Sequence, residues 1–278
     1  MLTTEDHRRD SAGMTYVYPV ISRRARGVSV GVNLNVNNAC NWACAYCQVE
    51  GLTRGGPPPI DLERLADELD RFLDDAIRGD FMARAVPPES RRLVDVAFSG
   101  NGEPTSAPEF PDAVRIVRDA LTARGLLPAV KIRLITNGSL MHRQAVQEGV
   151  REIGKAGGEV WFKVDRVGEE ATRAVNGVPV APVMALRNLE TCAGLAPTWV
   201  QTCWFAMHGE APSQADREAY CAFLKPLGAR LAGVHLYGLA RPSLQPGAER
   251  LGWLDAAMLE AFAAEIRDKT GIRVLVSP

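Results

Sequence analysis

Long apolar runs are missing from this 278-residue sequence. None nears the about 18 apolar residues of a membrane span, so no helical span and no membrane partner are predicted. The opening stretch, MLTTEDHRRD, lacks the apolar core of a signal peptide, and a cytoplasmic chain is predicted. An excess of one charge sign is missing too: 32 Lys plus Arg face 33 Asp plus Glu. On net charge this excludes a basic nucleic-acid wrapper or an acidic tail protein, and it leaves a local basic patch open. Lysine is scarce, five against 27 arginines, which reads as a compositional bias. Repeats and low-complexity tracts are absent. The most loop-like stretch, GLTRGGPPPI at 51–60, ends a segment without dividing the chain. With 46% hydrophobic and 23% charged residues, the composition is that of a globular protein able to bury a core without disulfides or metal staples.

Periodicity predicts alternating strands and helices. Strands are expected at 28–36, 93–98, 131–135, 160–164, 199–205 and 233–239, with a last short one at 272–277. Amphipathic helices are expected near 109–123, 143–155, 182–195, 213–226 and 255–269. Asp61 is placed to cap a further helix with the stripe Leu62, Leu65, Leu69, Phe72, Leu73, Ala76 and Ile77. Its opposite face carries Asp67, Glu68, Asp70, Asp74 and Asp75, read as a solvated surface. Strand–helix alternation implies a parallel sheet. Six such units are too few for a closed eight-stranded barrel, so the predicted fold is a single-domain α/β partial (βα)6 barrel. The expected layout is an N-terminal extension over 1–27, the barrel over 28–244 and a helix–strand addition over 245–278.

Chemistry in such folds collects at the C-terminal ends of the strands. The sequence places polar and glycine residues there: Ser99-Gly100-Asn101-Gly102-Glu103-Pro104, Thr136-Asn137-Gly138-Ser139, Lys163-Val164-Asp165, His208 and Arg241. Asn137 is read either as a ligand contact or as half of an Asn-Gly turn. His208 is a candidate for acid–base or substrate-binding work, against an ordinary rim histidine.

Three of the six cysteines cluster as Cys40-Asn41-Trp42-Ala43-Cys44-Ala45-Tyr46-Cys47, just past the first predicted barrel strand. Thiols this close in a chain read as cytoplasmic point to a metal, and soft thiolates select zinc, copper(I) or iron–sulfur clusters. A structural zinc needs four ligands, and no fourth Cys or His is nearby, His7 and His142 both being distant. Three thiolates suit three irons of a four-iron cluster and leave the fourth open. Cys192, Cys203 and Cys221 lack the tight pairing of cluster ligands and are read as buried small hydrophobes, with an auxiliary cluster as the other reading.

The Cys-x3-Cys-x2-Cys spacing, with aromatic Tyr46 before the last cysteine, resembles the radical S-adenosylmethionine (radical SAM) superfamily. Asn101-Gly102-Glu103-Pro104 is similar to that family's Gly-Gly-Glu-Pro turn, with Asn in place of the first Gly. The likeness runs over residues 28–240. It implies a 4Fe-4S cluster on Cys40, Cys44 and Cys47. It also implies SAM held by Tyr46, Asn101, Gly102, Glu103, Asn137, Lys163 and Asp165, with Glu103 and the backbone near Gly102 at SAM's amino group. The implied activity is reductive cleavage of SAM to a 5′-deoxyadenosyl radical that abstracts hydrogen, with a flavodoxin or ferredoxin as electron donor.

A narrower likeness, in Tyr18-Pro19-Val20-Ile21-Ser22-Arg23-Arg24, Gly31-Val32-Asn33 and Cys47-Gln48-Val49-Glu50-Gly51, resembles the wyosine-synthase branch and its uncharacterised bacterial relatives. It implies a nucleotide or tRNA base as substrate. Ser22, Arg23, Arg24 and Arg26 are candidates for phosphate contacts, against a solvated or salt-bridged strand entry. Activation of a partner protein, as by glycyl-radical activating enzymes, is the alternative enzyme reading. A non-catalytic iron–sulfur electron carrier is the alternative outside catalysis.

Overall fold

The computed structural model describes residues 2–3, 13–22 and 27–277; His7, Arg23, Arg24 and Arg26 lie outside the described residues. Eight strands form one sheet in chain order: β1 Val17–Ser22, β2 Gly27–Val32, β3 Leu93–Phe98, β4 Lys131–Thr136, β5 Glu159–Lys163, β6 Thr198–Cys203, β7 Gly233–Tyr237 and β8 Val274–Ser277. β1 runs antiparallel to β2, and every later pairing is parallel. The first and last strands are not paired to each other, so the barrel is open. The six predicted barrel strands are present, and the fold is the expected α/β partial barrel in one domain.

Besides a five-residue helix at Phe81–Ala85, the longer helices of the described residues are α1 Leu62–Arg78, α2 Phe110–Ala123, α3 Gln144–Lys155, α4 Glu169–Asn176, α5 Pro182–Leu195, α6 Gln214–Leu224 and α7 Ala256–Thr270. Six match predicted segments; the periodicity did not disclose α4. Strand alternation sorts the two faces of the sheet. Val160, Phe162 and Val200 enter the core beneath the helices, while Trp161, Lys163, Gln201 and Cys203 line the barrel interior. Among the described residues no helix is long and apolar enough to cross a membrane.

Three departures from the sequence reading have local causes. β2 stops at Val32 because Asn33 turns the chain: its Oδ1 accepts from the backbone N–H groups of Asn35 and Asn101, each at 3.1 Å. Ile77, predicted in the α1 stripe, is 43% exposed at the helix end. Glu68, predicted on the solvated face, is buried. Its carboxylate accepts from the N–H groups of Thr15 (2.9 Å), Tyr16 (2.7 Å) and Val17 (3.3 Å), and from Arg64 Nε (3.0 Å). That anchor holds β1 on the sheet, so residues 17–22 of the predicted extension are a barrel-edge strand. At the other edge, the predicted C-terminal addition supplies β8, which pairs with β7.

Candidate functional site

The strand ends surround a cavity of about 410 Å³. Cys40, Cys44 and Cys47 line it, all as free thiols. Their loop leaves the turn after β2 and is held from three sides. From α4, the Asn176 and Val175 carbonyls accept from Ala43 N (3.0 Å) and Ala45 N (2.8 Å). From the end of β4, Asn137 Nδ2 donates to Asn41 Oδ1 at 2.8 Å, and Ser139 Oγ accepts from Asn41 Nδ2 at 2.9 Å. From beyond β7, Leu244 N donates to the Cys47 carbonyl at 3.0 Å. Ser243 Oγ donates to the Ala45 carbonyl at 2.7 Å, and Gln245 Nε2 to the Val49 carbonyl at 2.7 Å.

Burial pushes the Cys40 thiol up to about 11 and the Cys44 thiol up to about 12. Binding a metal group there therefore releases protons. Among the described residues no three His, Cys, Asp or Glu side chains converge closely enough for one metal ion. Three soft thiols facing one cavity are a donor set that suits zinc, copper(I) or an iron–sulfur cluster. Cys192, Cys203 and Cys221 are buried. Cys192 and Cys221 belong to the core under the helices, whereas Cys203 lies on the interior face beneath Tyr46.

The glycine turn after β3 forms the next wall. A Cβ on Gly102 would stand 2.2 Å from the Ala39 carbonyl oxygen, so only glycine lets this turn lie against the start of the cysteine loop. Asn101 lines the cavity and donates from Nδ2 to Asn38 Oδ1 at 2.6 Å. Glu103 reaches the cavity, but four donors tie its carboxylate inward. These are Thr105 N (3.2 Å), Thr105 Oγ1 (2.6 Å), Asn137 N (2.7 Å) and Thr136 Oγ1. Burial raises its pKa against these bonds. Its main visible work is to join the β3 turn to the end of β4.

Lys163 lines the cavity with its ammonium 4.8 Å from the centre of the Tyr46 ring. Burial acts against its charge, yet Asp165 holds its pKa above the usual lysine range. Asp165 departs from the sequence reading. β5 ends at Lys163, so strand alternation no longer governs residue 165, and Asp165 is not among the cavity-lining residues. Its carboxylate sits behind Tyr46. It accepts from the Tyr46 hydroxyl, Asn176 Nδ2 (2.8 Å) and Cys203 N (2.9 Å), with Lys163 Nζ at 3.9 Å. The ion pair deeper in the barrel is a different one: Arg133 bridges Asp95 and Glu159 and covers the Trp161 ring at 4.3 Å.

Asn137 serves both readings offered for it, lining the cavity while its Oδ1 accepts from Ser139 N at 3.0 Å in a turn. His208 is not brought to the cavity. It occupies a left-handed turn (φ 54°) whose N–H donates to the Arg250 carbonyl at 2.7 Å. Arg241 and Trp42 do line the cavity. Ser243, which the sequence offers with Arg241 and Pro242 as a substrate-anion contact or a turn, instead holds the cysteine loop, and Asn176 and Gln245 escaped the sequence reading. Only the polarity of Asn176 in an otherwise apolar stretch offered a signal.

These geometries can be set beside known proteins. The chain is 28% identical over 140 residues to a UPF0026 protein of Helicobacter pylori, a match covering 49% of this chain and 38% of that protein. It is 26% identical over 163 residues to UPF0026 protein MJ1312 of Methanocaldococcus jannaschii, covering 59% and 44%. The chain thus spans under half the length of these relatives. Among solved structures it is similar to a radical SAM methyltransferase from Sphaerobacter thermophilus, with TM-score 0.61, 14% identity, and 94% of this chain and 68% of that one covered. It is also similar to anSMEcpe with bound AdoMet, with TM-score 0.55, 18% identity, and 88% and 63% covered. At such identities the likeness to solved structures is one of fold. The family model described as the Radical SAM superfamily matches residues 34–216, from the cysteine loop past β6. That match takes in well over half of the sequence, and the chain belongs to the radical SAM superfamily.

Proposed function

We propose that this chain is an enzyme that cleaves SAM reductively, with a 4Fe-4S cluster on Cys40, Cys44 and Cys47 and SAM in the adjoining cavity. The observation that carries this reading is that the three thiols, the Gly102 turn, Tyr46, Asn137 and Lys163 all line one cavity. When bound, the cluster and SAM supply a 5′-deoxyadenosyl radical able to take hydrogen from an unactivated C–H bond.

The chain's own residues divide the remaining work. Three thiolates leave one iron of a four-iron cluster without a protein ligand. Gly102 lets its turn lie directly against Ala39, so that the turn and the cysteine loop wall the same cavity. The Lys163 ammonium offers a charge-assisted hydrogen bond to a carboxylate. The Tyr46 ring is a flat wall braced from behind by Asp165. Val49, Leu52 and Leu239 line the cavity as well and limit water near the reacting atoms. Electrons come from a flavodoxin or ferredoxin-type donor, and the substrate is of the nucleotide or tRNA-base class, in keeping with the branch likeness.

The test is anaerobic. Reconstituted protein with dithionite and SAM is expected to form 5′-deoxyadenosine and methionine. Bound zinc without iron, in protein isolated without oxygen, would refute the cluster assignment. Small RNA copurifying with the protein and hydrogen transfer from it to deoxyadenosine would support the substrate class. Transfer from a protein backbone instead would move the reading to partner activation.

A further inference from the structure

The C-terminus of α4 meets the cysteine loop, and its last residue does more than hold backbone. Asn176 is 1% exposed. Its Nδ2 lies 3.3 Å from the Cys44 sulfur and 2.8 Å from Asp165 Oδ2. Asp165 is itself fixed by the Tyr46 hydroxyl and by Cys203 N at 2.9 Å. A carboxylate and a ligating thiolate are both acceptors, so the amide must present its nitrogen to this corner. One N–H serves Asp165, and the other is left for the sulfur. The left-handed cap Gly177 (φ 72°) ends α4 beside Ala43, and a Cβ there would stand 2.7 Å from the Ala43 carbonyl oxygen. The amide and the loop are therefore locked together.

We propose that Asn176 sets the reduction potential of the cluster through an N–H···S hydrogen bond to its Cys44 ligand. The inference rests on the four-iron reading of the cysteine triad given above. Hydrogen bonds to cluster sulfurs are among the determinants of cluster potential. An N–H dipole aimed at a thiolate favours the more negative, reduced cluster and so raises the potential. Asp165 pins the donor by accepting its second hydrogen, and Tyr46, a wall of the cavity, shares that acceptor. Asn176 is in this sense a positioning residue: it touches a ligand of the cluster and not the substrate.

The test compares wild type, Asn176→Leu and Asn176→Ala, each reconstituted with iron and sulfide without oxygen. Iron per chain is counted, and the midpoint potential is read by redox titration followed by electron paramagnetic resonance. Both variants are expected to keep the wild-type iron content and to titrate about 59 mV lower, a tenfold change in a one-electron equilibrium. An unchanged potential at full iron content overturns the proposal. So does loss of the cluster from both variants while wild type keeps it, which would make Asn176 purely structural. Wild type that takes up no four-iron cluster removes the cluster reading itself, and the two failures are therefore told apart.

Discussion

The hydroxyl of Tyr46 donates to the carboxylate of Asp165, across 119 residues of chain. The aromatic residue of the cysteine motif is thus braced by the acid that follows β5. The sequence motif and the strand-end motif meet as one unit, with the ring toward the cavity and the acid behind it. Tyr46→Phe is expected to keep the ring against Phe205, its edge-on neighbour at 5.5 Å. It should cost about 1–3 kcal/mol, because the buried carboxylate loses a donor. Chemical denaturation of the two proteins measures this directly.

Replacing Cys40, Cys44 and Cys47 together by Ala is expected to abolish binding of the about four irons of the cluster. Replacing Cys192, Cys203 and Cys221 is expected to leave the iron count unchanged. That second variant loses about 1 kcal/mol or more of stability per site through packing. A fall from about eight irons to about four in it would establish a second cluster. Metal analysis and thermal melts of both variants decide the matter.

Glu103→Ala leaves two backbone N–H groups and two hydroxyls in its pocket without their acceptor. A loss of about 2–4 kcal/mol is expected, together with weaker SAM binding by the reconstituted protein. Calorimetric titration of SAM into the folded variant separates the two effects. Unchanged affinity would assign the carboxylate to architecture alone.

Gly102→Ala drives a methyl group to 2.2 Å from the Ala39 carbonyl and 2.7 Å from the Asn35 side chain. Ala39 precedes Cys40, so the turn cannot give way without displacing the Cys40 thiol. Lower iron loading is expected, along with a stability loss of about 1–3 kcal/mol. Iron content per folded chain is the deciding measurement.

Glu68 should make stability acid-sensitive. Burial works to raise its pKa, but the Thr15, Tyr16 and Val17 N–H groups and Arg64 outweigh it and hold the carboxyl below the ordinary glutamate range. Such a group stabilises the fold above the pKa of the unfolded chain, and the contribution is lost as pH falls through the lower folded value. Glu68→Gln is therefore expected to flatten the stability curve between about pH 5 and pH 3. Denaturation series at several pH values test it, with hydrogen exchange at residues 15–22 showing whether β1 is released first.

What could be read from the sequence was local. Alternating patterns placed β3 to β7 within a residue or two, because buried parallel strands are short apolar runs between turn signals. The cysteine loop and the Gly102 turn carry their chemistry in adjacent residues and were visible for that reason. β1 was hidden because its place depends on Glu68, 52 residues away from Tyr16, in a helix whose acidic face gives no sign of which acid turns inward. Asp165, two residues past Lys163, does not share its face of the barrel because strand alternation holds only while the strand lasts. Asn176 and Gln245 act on the cysteine loop through contacts across 132 and 196 residues, which no window along the chain can register.

The clasp formed by Ser243, Leu244 and Gln245 has a bearing on how the protein is made. Ser243 Oγ reaches the Ala45 carbonyl across 198 residues. A nascent chain emerges from its N-terminal end, so the cysteine loop is synthesised long before the residues that fasten it. Until β7 and the segment after it have left the ribosome, the loop lacks one of its three sides. A chain truncated just before the clasp would carry the whole cysteine motif with only two of the three sides that hold it.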